Sequence, residues 1–216
     1  LALTLVIFGF YYLLRFFRSG SSLLPSAILL GLSLHTYNTE RVFVPLLVIA
    51  SFFLFRRALR NTASHKLKNI LAVILSIGFF CLVVSQVFIG EGTARYDKLK
   101  ILSPTTIFRI GEKRAESSLP PLLSRLVFNR PVYFATTFSK NYLGHFSPAF
   151  IYQTWGAQFQ FAIPKQNLLT LPVYLLSILG LISLLTKLKG NKNNQFLLFW
   201  LLLSPLAASL TSDPPQ

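Results

Sequence analysis

Acidic residues are scarce in this chain, where six aspartates and glutamates accompany 21 lysines and arginines, giving a formal net charge of +15. Charged residues of both signs make up 12% of the 216 residues, about half of the share in an average soluble domain. Methionine is absent, and the single cysteine, Cys81, excludes an internal disulfide. Apolar residue types account for 53% of the sequence. A soluble domain of this size would not bury so much apolar surface, so the composition predicts an integral membrane protein.

The positive charge does not predict nucleic-acid binding. Many of the basic residues form short clusters between apolar runs, which is how membrane proteins encode their orientation. We therefore expect the lipid bilayer as a partner, and no nucleic acid. No dinucleotide, phosphate-loop, serine-hydrolase or zinc-protease motif occurs. The three histidines are too scattered to predict a metal site. Whether the protein needs a divalent cation stays open.

Six apolar runs organise the chain, at 1–17, 23–37, 42–55, 69–90, 168–185 and 196–210. A helix needs about 20 residues to cross the hydrocarbon core, and the fourth run has that length and no charge. The second and third runs are short, so they predict either two spans or a re-entrant pair. The fold class predicted is all-α, a polytopic membrane protein with about six transmembrane helices. Four lie in residues 1–90, and two more, followed by an exit, lie in 168–216.

Basic residues in the short loops predict the orientation. They cluster after the first run, between the third and fourth, and before the sixth, which places these three loops in the cytoplasm. Residues 91–167 then form a long extracytoplasmic loop. A polar helix is expected at 105–117. Amphipathic helices are expected at 120–128 and 132–143, lying on the membrane surface because they mix basic and aromatic residues. The alternative is a small soluble subdomain. The predicted location is the plasma membrane, with the active side outside the cytoplasm.

The segment Leu34–Val42, LHTYNTERV, is a polar seam between two apolar runs. We call it the seam. Charge held at the edge of a bilayer is costly, so such residues often serve a function. Arg41 has the geometry to bind a lipid-linked phosphate through two parallel hydrogen bonds, and Tyr37 can donate to the same phosphate. His35 can donate as well, and Glu40 lies beside the arginine. The alternative is a charged pair that anchors a helix end at the headgroups.

A second set of polar and aromatic residues occupies 141–150, NYLGHFSPAF, which we call the aromatic–polar cluster. Asn141, Tyr142 and His145 provide amide, hydroxyl and imidazole groups beside aromatic faces, a common way to hold a sugar. The same residue types are equally common in the aromatic belts of membrane interfaces. Both interpretations stay open at this point.

Three segments in this order resemble bacterial membrane glycosyltransferases of the GT-C superfamily, which are similar to protein mannosyltransferases and lipid A aminoarabinose transferases. They are GLSLHTYNTERVFVP at 31–45, NYLGHFSP at 141–148, and the helix exit at 200–214. The resemblance implies an inverting transfer of a sugar from a polyprenyl-phosphate donor to a protein, lipid or glycan acceptor. It also implies that His35, Tyr37, Glu40, Arg41, Asn141, Tyr142 and His145 bind substrate.

In such enzymes a carboxylate in the first outer loop is the general base. That loop is expected before Leu1, so the chain is interpreted as an inactive internal fragment of a longer enzyme. Two other functions remain alternatives. One is an O-antigen ligase or polymerase that acts on lipid-linked glycans. The other is a transporter, which predicts charged or broken helices in the middle of the membrane.

Overall fold

The structure, a computed structural model, describes residues 1–57, 66–89, 100–153 and 169–211. These residues form α-helices, one π-helical turn at Ala149–Gln153 and an isolated antiparallel bridge between Lys100 and Thr211. The all-α prediction is confirmed for these ranges. The helices are α1 (Ala2–Ser19), α2 (Leu24–Thr36), α3 (Glu40–Phe55), α4 (Lys66–Ile89), α5 (Pro104–Glu116), α6 (Pro121–Val127), α7 (Arg130–Gly144), α8 (Leu171–Thr186), α9 (Lys192–Leu203) and α10 (Leu206–Ser209).

Two of the described helices are long and apolar enough to cross a membrane, α1 and the Lys66–Gln86 part of α4. Helices α2 and α8 are apolar but shorter. The prediction of about six spans stays a prediction, since two of the described helices have spanning length. Large apolar side chains cover the exposed surface of α4, including Leu67, Ile74 and Ile77, and Cys81 is exposed there too.

The described residues divide into two units, one drawn from Leu1–Thr93 with Leu184–Ser204 and the other from Ala94–Ser183 with Pro205–Gln216. The predicted division followed chain order, at 1–90, 91–167 and 168–216. The first unit instead includes α9, because this late helix packs against α3. An aromatic cluster accompanies that contact: Trp200 lies 5.3 Å from Phe10, 5.4 Å from Phe43 and 5.8 Å from Phe196 between ring centroids.

Helix α2 is the centre of the first unit, where it packs against α1, α3 and α4. Two glycines allow the close approach. A Cβ on Gly9 of α1 would lie 2.5 Å from the Leu30 side chain, and one on Gly31 of α2 would lie 2.1 Å from the Phe79 ring. Such distances are far shorter than van der Waals contact, so a methyl group at either position would require the Leu30 or Phe79 side chain to move.

The sixth apolar run, expected as one helix over 196–210, is broken in the structure. Helix α9 ends at Leu203, and the short α10 begins at Leu206. Pro205 lies between them, and proline has no N–H to continue the helical hydrogen bonds. The break matters for the unit boundary, since α9 belongs to the first unit and α10 to the second.

Capping residues set the starts of the helices of the second unit. Ser103 accepts a hydrogen bond from the Thr106 amide at α5, and Asn129 accepts one from the Val132 amide at α7. Both satisfy amides that a helix start leaves without a partner. Proline follows each cap, at Pro104 and Pro131 in the first turn of the helix, where its missing N–H removes no helical hydrogen bond. The helices expected at 105–117, 120–128 and 132–143 are present within a few residues of those limits. Residues 91–99 and 154–167 of the predicted loop lie outside the described ranges.

Candidate functional site

The seam is a tight connection between two helices. Helix α2 ends at Thr36, Tyr37 has extended backbone angles of φ −151° and ψ 139°, and α3 begins at Glu40. The Glu40 amide donates to the Tyr37 carbonyl, and the Arg41 amide donates to the Asn38 carbonyl, each at 3.2 Å. The reversal therefore brings the first turn of α3 beside the last turn of α2.

Arg41 uses part of its guanidinium to hold this arrangement. Its Nε donates to the Leu34 carbonyl of α2 at 3.2 Å, and one terminal nitrogen donates to Gln86 Oε1 of α4 at 3.3 Å. A guanidinium has five N–H groups, so three have no hydrogen-bond partner among the described residues. Arg41 is thus fixed in position while it retains donors for an anion. Anchoring of the helix end at the headgroups stays an alternative to this role.

Glu40 and His35 each contain a buried atom without a hydrogen-bond partner, Oε2 and Nε2 respectively. No ion pair joins Glu40 to Arg41 in the described part of the chain, although they are neighbours in sequence. Burial raises the pKa of the Glu40 carboxyl above its ordinary value. Glu40 lies in the seam, ahead of the apolar run that begins at Val42. A buried carboxyl oxygen with no partner is costly, so it indicates a site where a donor is expected to bind.

Tyr37 is the accessible member of the seam, with 62% of its surface exposed. Its hydroxyl has no hydrogen bond to a described residue, so it is free to meet a ligand at the seam. His35 is held against the Phe79 ring, with 5.9 Å between ring centroids. His35, Tyr37, Glu40 and Arg41 all lie at the connection between α2 and α3. Their role as substrate ligands stays a prediction.

An apolar cavity of about 170 Å³ lies between α1, α2, α3 and α4, next to the seam. Leu34 lines this cavity, and its carbonyl oxygen is the acceptor for Arg41. Val44 lines it too, three residues after Arg41. A cavity of about this volume holds one benzene-sized molecule, so it has room for a few methylene groups or about one isoprene unit. Neither Gln86 nor the cavity was found from the sequence. Gln86 carries a weak signal, as a lone amide near the end of an apolar run.

The aromatic–polar cluster lies in the second unit, at the end of α7. Asn141 is buried, and its amide nitrogen donates to the Thr211 carbonyl at 2.8 Å and to the Ser209 carbonyl at 3.5 Å. It therefore joins α7 to the chain after α10. The structure gives Asn141 a structural role that the sequence did not reveal, while its predicted contact with substrate stays a prediction.

His145 is fixed by the same turn of α7. Its Nδ1 lies 2.8 Å from the Asn141 carbonyl, which only accepts hydrogen bonds, so Nδ1 carries the proton. Nε2 is left as an acceptor, buried and without a partner. Tyr142 is flanked by Phe138 at 6.0 Å and Phe146 at 5.4 Å between ring centroids, and burial raises its pKa. Asn141, Tyr142 and His145 thus share one helix end, and the four seam residues belong to the other unit.

We expect Asn141→Asp to destabilise the second unit by about 1–3 kcal/mol, because the change removes both amide donors and buries a carboxylate. Asn141→Ala removes the donors without adding charge and should cost less. Hydrogen exchange of the α7 and α10 amides measures the local effect. Asn129→Asp is the matched control, since it retains the side-chain oxygen that caps α7. Equal exchange in Asn141→Asp and the unchanged protein would contradict the structural role.

We expect Glu40→Gln to stabilise the protein at neutral pH. The folded pKa of Glu40 is raised, so the folded state binds its proton more tightly than the unfolded chain does. Stability contributed by the protonated form is complete below the ordinary value of 4.5 and is lost as the pH rises through the folded pKa. Thermal unfolding of the unchanged protein and of Glu40→Gln in detergent, from pH 4.5 to neutral pH, measures the difference in stability. A stability difference that does not change with pH would contradict it.

No group of three or more metal-binding side chains (His, Cys, Asp or Glu) occurs among the residues that the structure describes. Comparison of the chain with protein-family models, curated protein sequences and solved structures gave no match.

Proposed function

We propose that this chain is part of a membrane glycosyltransferase that transfers a sugar from a polyprenyl-phosphate donor to an acceptor outside the cytoplasm. The observation that carries the proposal is the position of Arg41. Its guanidinium is fixed at the end of α2, retains donors for an anion, and adjoins an apolar cavity through Leu34. An anionic head beside an apolar pocket is the chemistry of a lipid phosphate.

The proposed reaction needs positive charge more than acid catalysis. The acceptor oxygen attacks the anomeric carbon, the bond from that carbon to the phosphate oxygen breaks, and the configuration inverts. The bonding electrons leave with the polyprenyl phosphate, and the acceptor proton passes to a carboxylate. Because the leaving group is a phosphate, fixed N–H donors stabilise the charge that develops on it. Arg41 supplies such N–H donors, and the Tyr37 hydroxyl adds an O–H donor.

The membrane arrangement proposed for this reaction has about six spans in the plasma membrane. Helices α1 and α4 support it through their length, and the basic loops support the orientation. Helices α2 and α3 then form two short spans or a re-entrant pair with the seam at the outer surface. Helices α6 and α7 lie on a membrane surface in this arrangement, and Asn141, Tyr142 and His145 are proposed as sugar ligands.

Competition between donors tests this function. The full-length gene product is reconstituted in nanodiscs and loaded with a fluorescent polyprenyl phosphate, which is then displaced with unlabelled lipids. Displacement by polyprenyl monophosphate sugars, with weak displacement by diphosphate-linked glycans, supports the proposal. Preference for the diphosphate-linked glycan would favour the ligase or polymerase function instead. Failure of every polyprenyl lipid to bind would favour a transporter.

A further inference from the structure

Helix α6 is attached to the second unit by its polar side. Ser124 is buried, and its hydroxyl donates to the Arg114 carbonyl at 3.1 Å and accepts from Ser117 at 2.8 Å. Arg114 adds to the attachment, since Nε and one terminal nitrogen donate to the Phe128 carbonyl at 3.0 and 2.6 Å. The side of α6 that faces the protein is thus held by hydrogen bonds rather than by apolar packing.

The opposite side of α6 is apolar and exposed. Successive residues of an α-helix are rotated by about 100°, so Leu122 and Leu126 lie on the side away from Ser124. They are 77% and 66% exposed. Leu123 is 49% exposed and widens this face on the side next to Leu126. A helix in water has the reverse arrangement, with its apolar side against the protein, so this face needs an apolar partner.

Two exposed arginines lie on or close in sequence to the exposed face. Residues 100–153 contain seven lysines and arginines and two glutamates. Arg125 lies beside Leu122 and Leu126 on α6, and Arg130 follows at the start of α7, and both are exposed. Apolar side chains bordered by arginines match a membrane interface, where the leucines enter the acyl region and the guanidinium groups meet phosphates. The excess of positive charge selects anionic phosphates.

We propose that the α6 face, formed by Leu122, Leu126, Arg125 and Arg130, docks on the bilayer by binding anionic phospholipid. This inference rests on the membrane location in the proposed function, but not on the sugar-transfer activity. Each exposed arginine near an anionic surface is expected to strengthen the docking about fivefold. The bilayer then holds the second unit through a specific class of lipid.

Lipid quenching of a fluorophore tests the docking. In a Cys81→Ser background of the full-length protein, single cysteines replace Leu122 on the face, Ile74 on α4 and Thr105 at the exposed start of α5. Each is labelled with an environment-sensitive dye and reconstituted in nanodiscs of phosphatidylcholine, with and without phosphatidylglycerol. Spin-labelled lipids act as quenchers. We expect quenching at position 122 to increase several-fold with phosphatidylglycerol, and to lose that increase in Arg125→Gln/Arg130→Gln.

Three results would overturn the inference. Equal quenching at position 122 in both lipid compositions would show docking without selection of anionic lipid. Quenching at position 74 but not at 122 would show a protein in the bilayer whose α6 face stays in water. Quenching as strong at position 105 as at 122 would show that the whole surface approaches lipid, with no role for this face. Absence of quenching at position 74 would instead contradict the membrane location itself.

Discussion

Sugar transfer falls by about 10²–10³-fold in Arg41→Ala if the guanidinium stabilises the departing phosphate, the effect typical of removing one donor from a charge-stabilising site. The loss should appear in the rate at saturating donor as well as in the donor affinity, because the phosphate gains negative charge as the bond breaks. The measurement is the transfer of a labelled sugar by the full-length protein in proteoliposomes.

Arg41 also joins α2 to α4, so the controls must separate structure from binding. Gln86→Ala removes the hydrogen bond to α4 and leaves the guanidinium in place. We expect this variant to lose some stability but to retain most of its transfer activity. Arg41→Lys keeps the charge and lacks the two-pronged geometry, so its activity should be intermediate. Equal loss in Gln86→Ala and Arg41→Ala would show that Arg41 acts only through helix packing.

Gly31→Ala is expected to destabilise the first unit by about 1–3 kcal/mol, as overpacking of a well-filled core usually does. The added Cβ would lie 2.1 Å from Cδ2 of Phe79 and 2.6 Å from Cγ, so the ring or the helix must move. Alanine is otherwise the better helix former by about 1 kcal/mol. A loss of stability would therefore show that the contact with Phe79 dominates, and a gain would show that helix propensity does. Thermal unfolding in detergent measures it.

Gly78→Ala is the matched control, since it lies on α4 beside Phe79 and a Cβ there meets nothing within 4 Å. We expect Gly78→Ala to be neutral or slightly stabilising. Phe79→Ala combined with Gly31→Ala should cost less than the sum of the two single variants, because the smaller side chain makes room for the new methyl group. Equal stability of Gly31→Ala and Gly78→Ala would contradict the close packing of α2 on α4.

Hydropathy and turn-forming residues were enough to predict most of the helices. The polar residues 35–41 separate α2 from α3, and the observed turn at 37–39 falls inside them. The helices in 100–144 were also found, since Ser103, Pro104, Asn129 and Pro131 are recognisable start signals. These features involve residues close together in the chain, so they can be recognised in the sequence without knowledge of the fold.

Long-range contacts escaped prediction for a physical reason. The bond from Arg41 to Gln86 spans 45 residues, and that from Asn141 to Thr211 spans 70 residues. No periodic pattern or sequence motif indicates a contact between residues so far apart in the chain. Asn141 was assigned to a sugar site because its amide group can bind a sugar. The sequence does not show that Asn141 is buried, because the burial depends on the position of Ser209 and Thr211. The break at Pro205 was visible in the sequence, but the apolar residues on both sides of it suggested one continuous span.

The measurement that tests the account most directly is sugar transfer by the full-length protein in proteoliposomes, with labelled polyprenyl monophosphate sugars and a lipid, peptide or glycan acceptor. The account predicts a labelled acceptor with inverted anomeric configuration, release of polyprenyl phosphate, and loss of both in Arg41→Ala. Folded protein that transfers no sugar from any monophosphate donor, while Arg41→Ala behaves as the unchanged protein does, would contradict it.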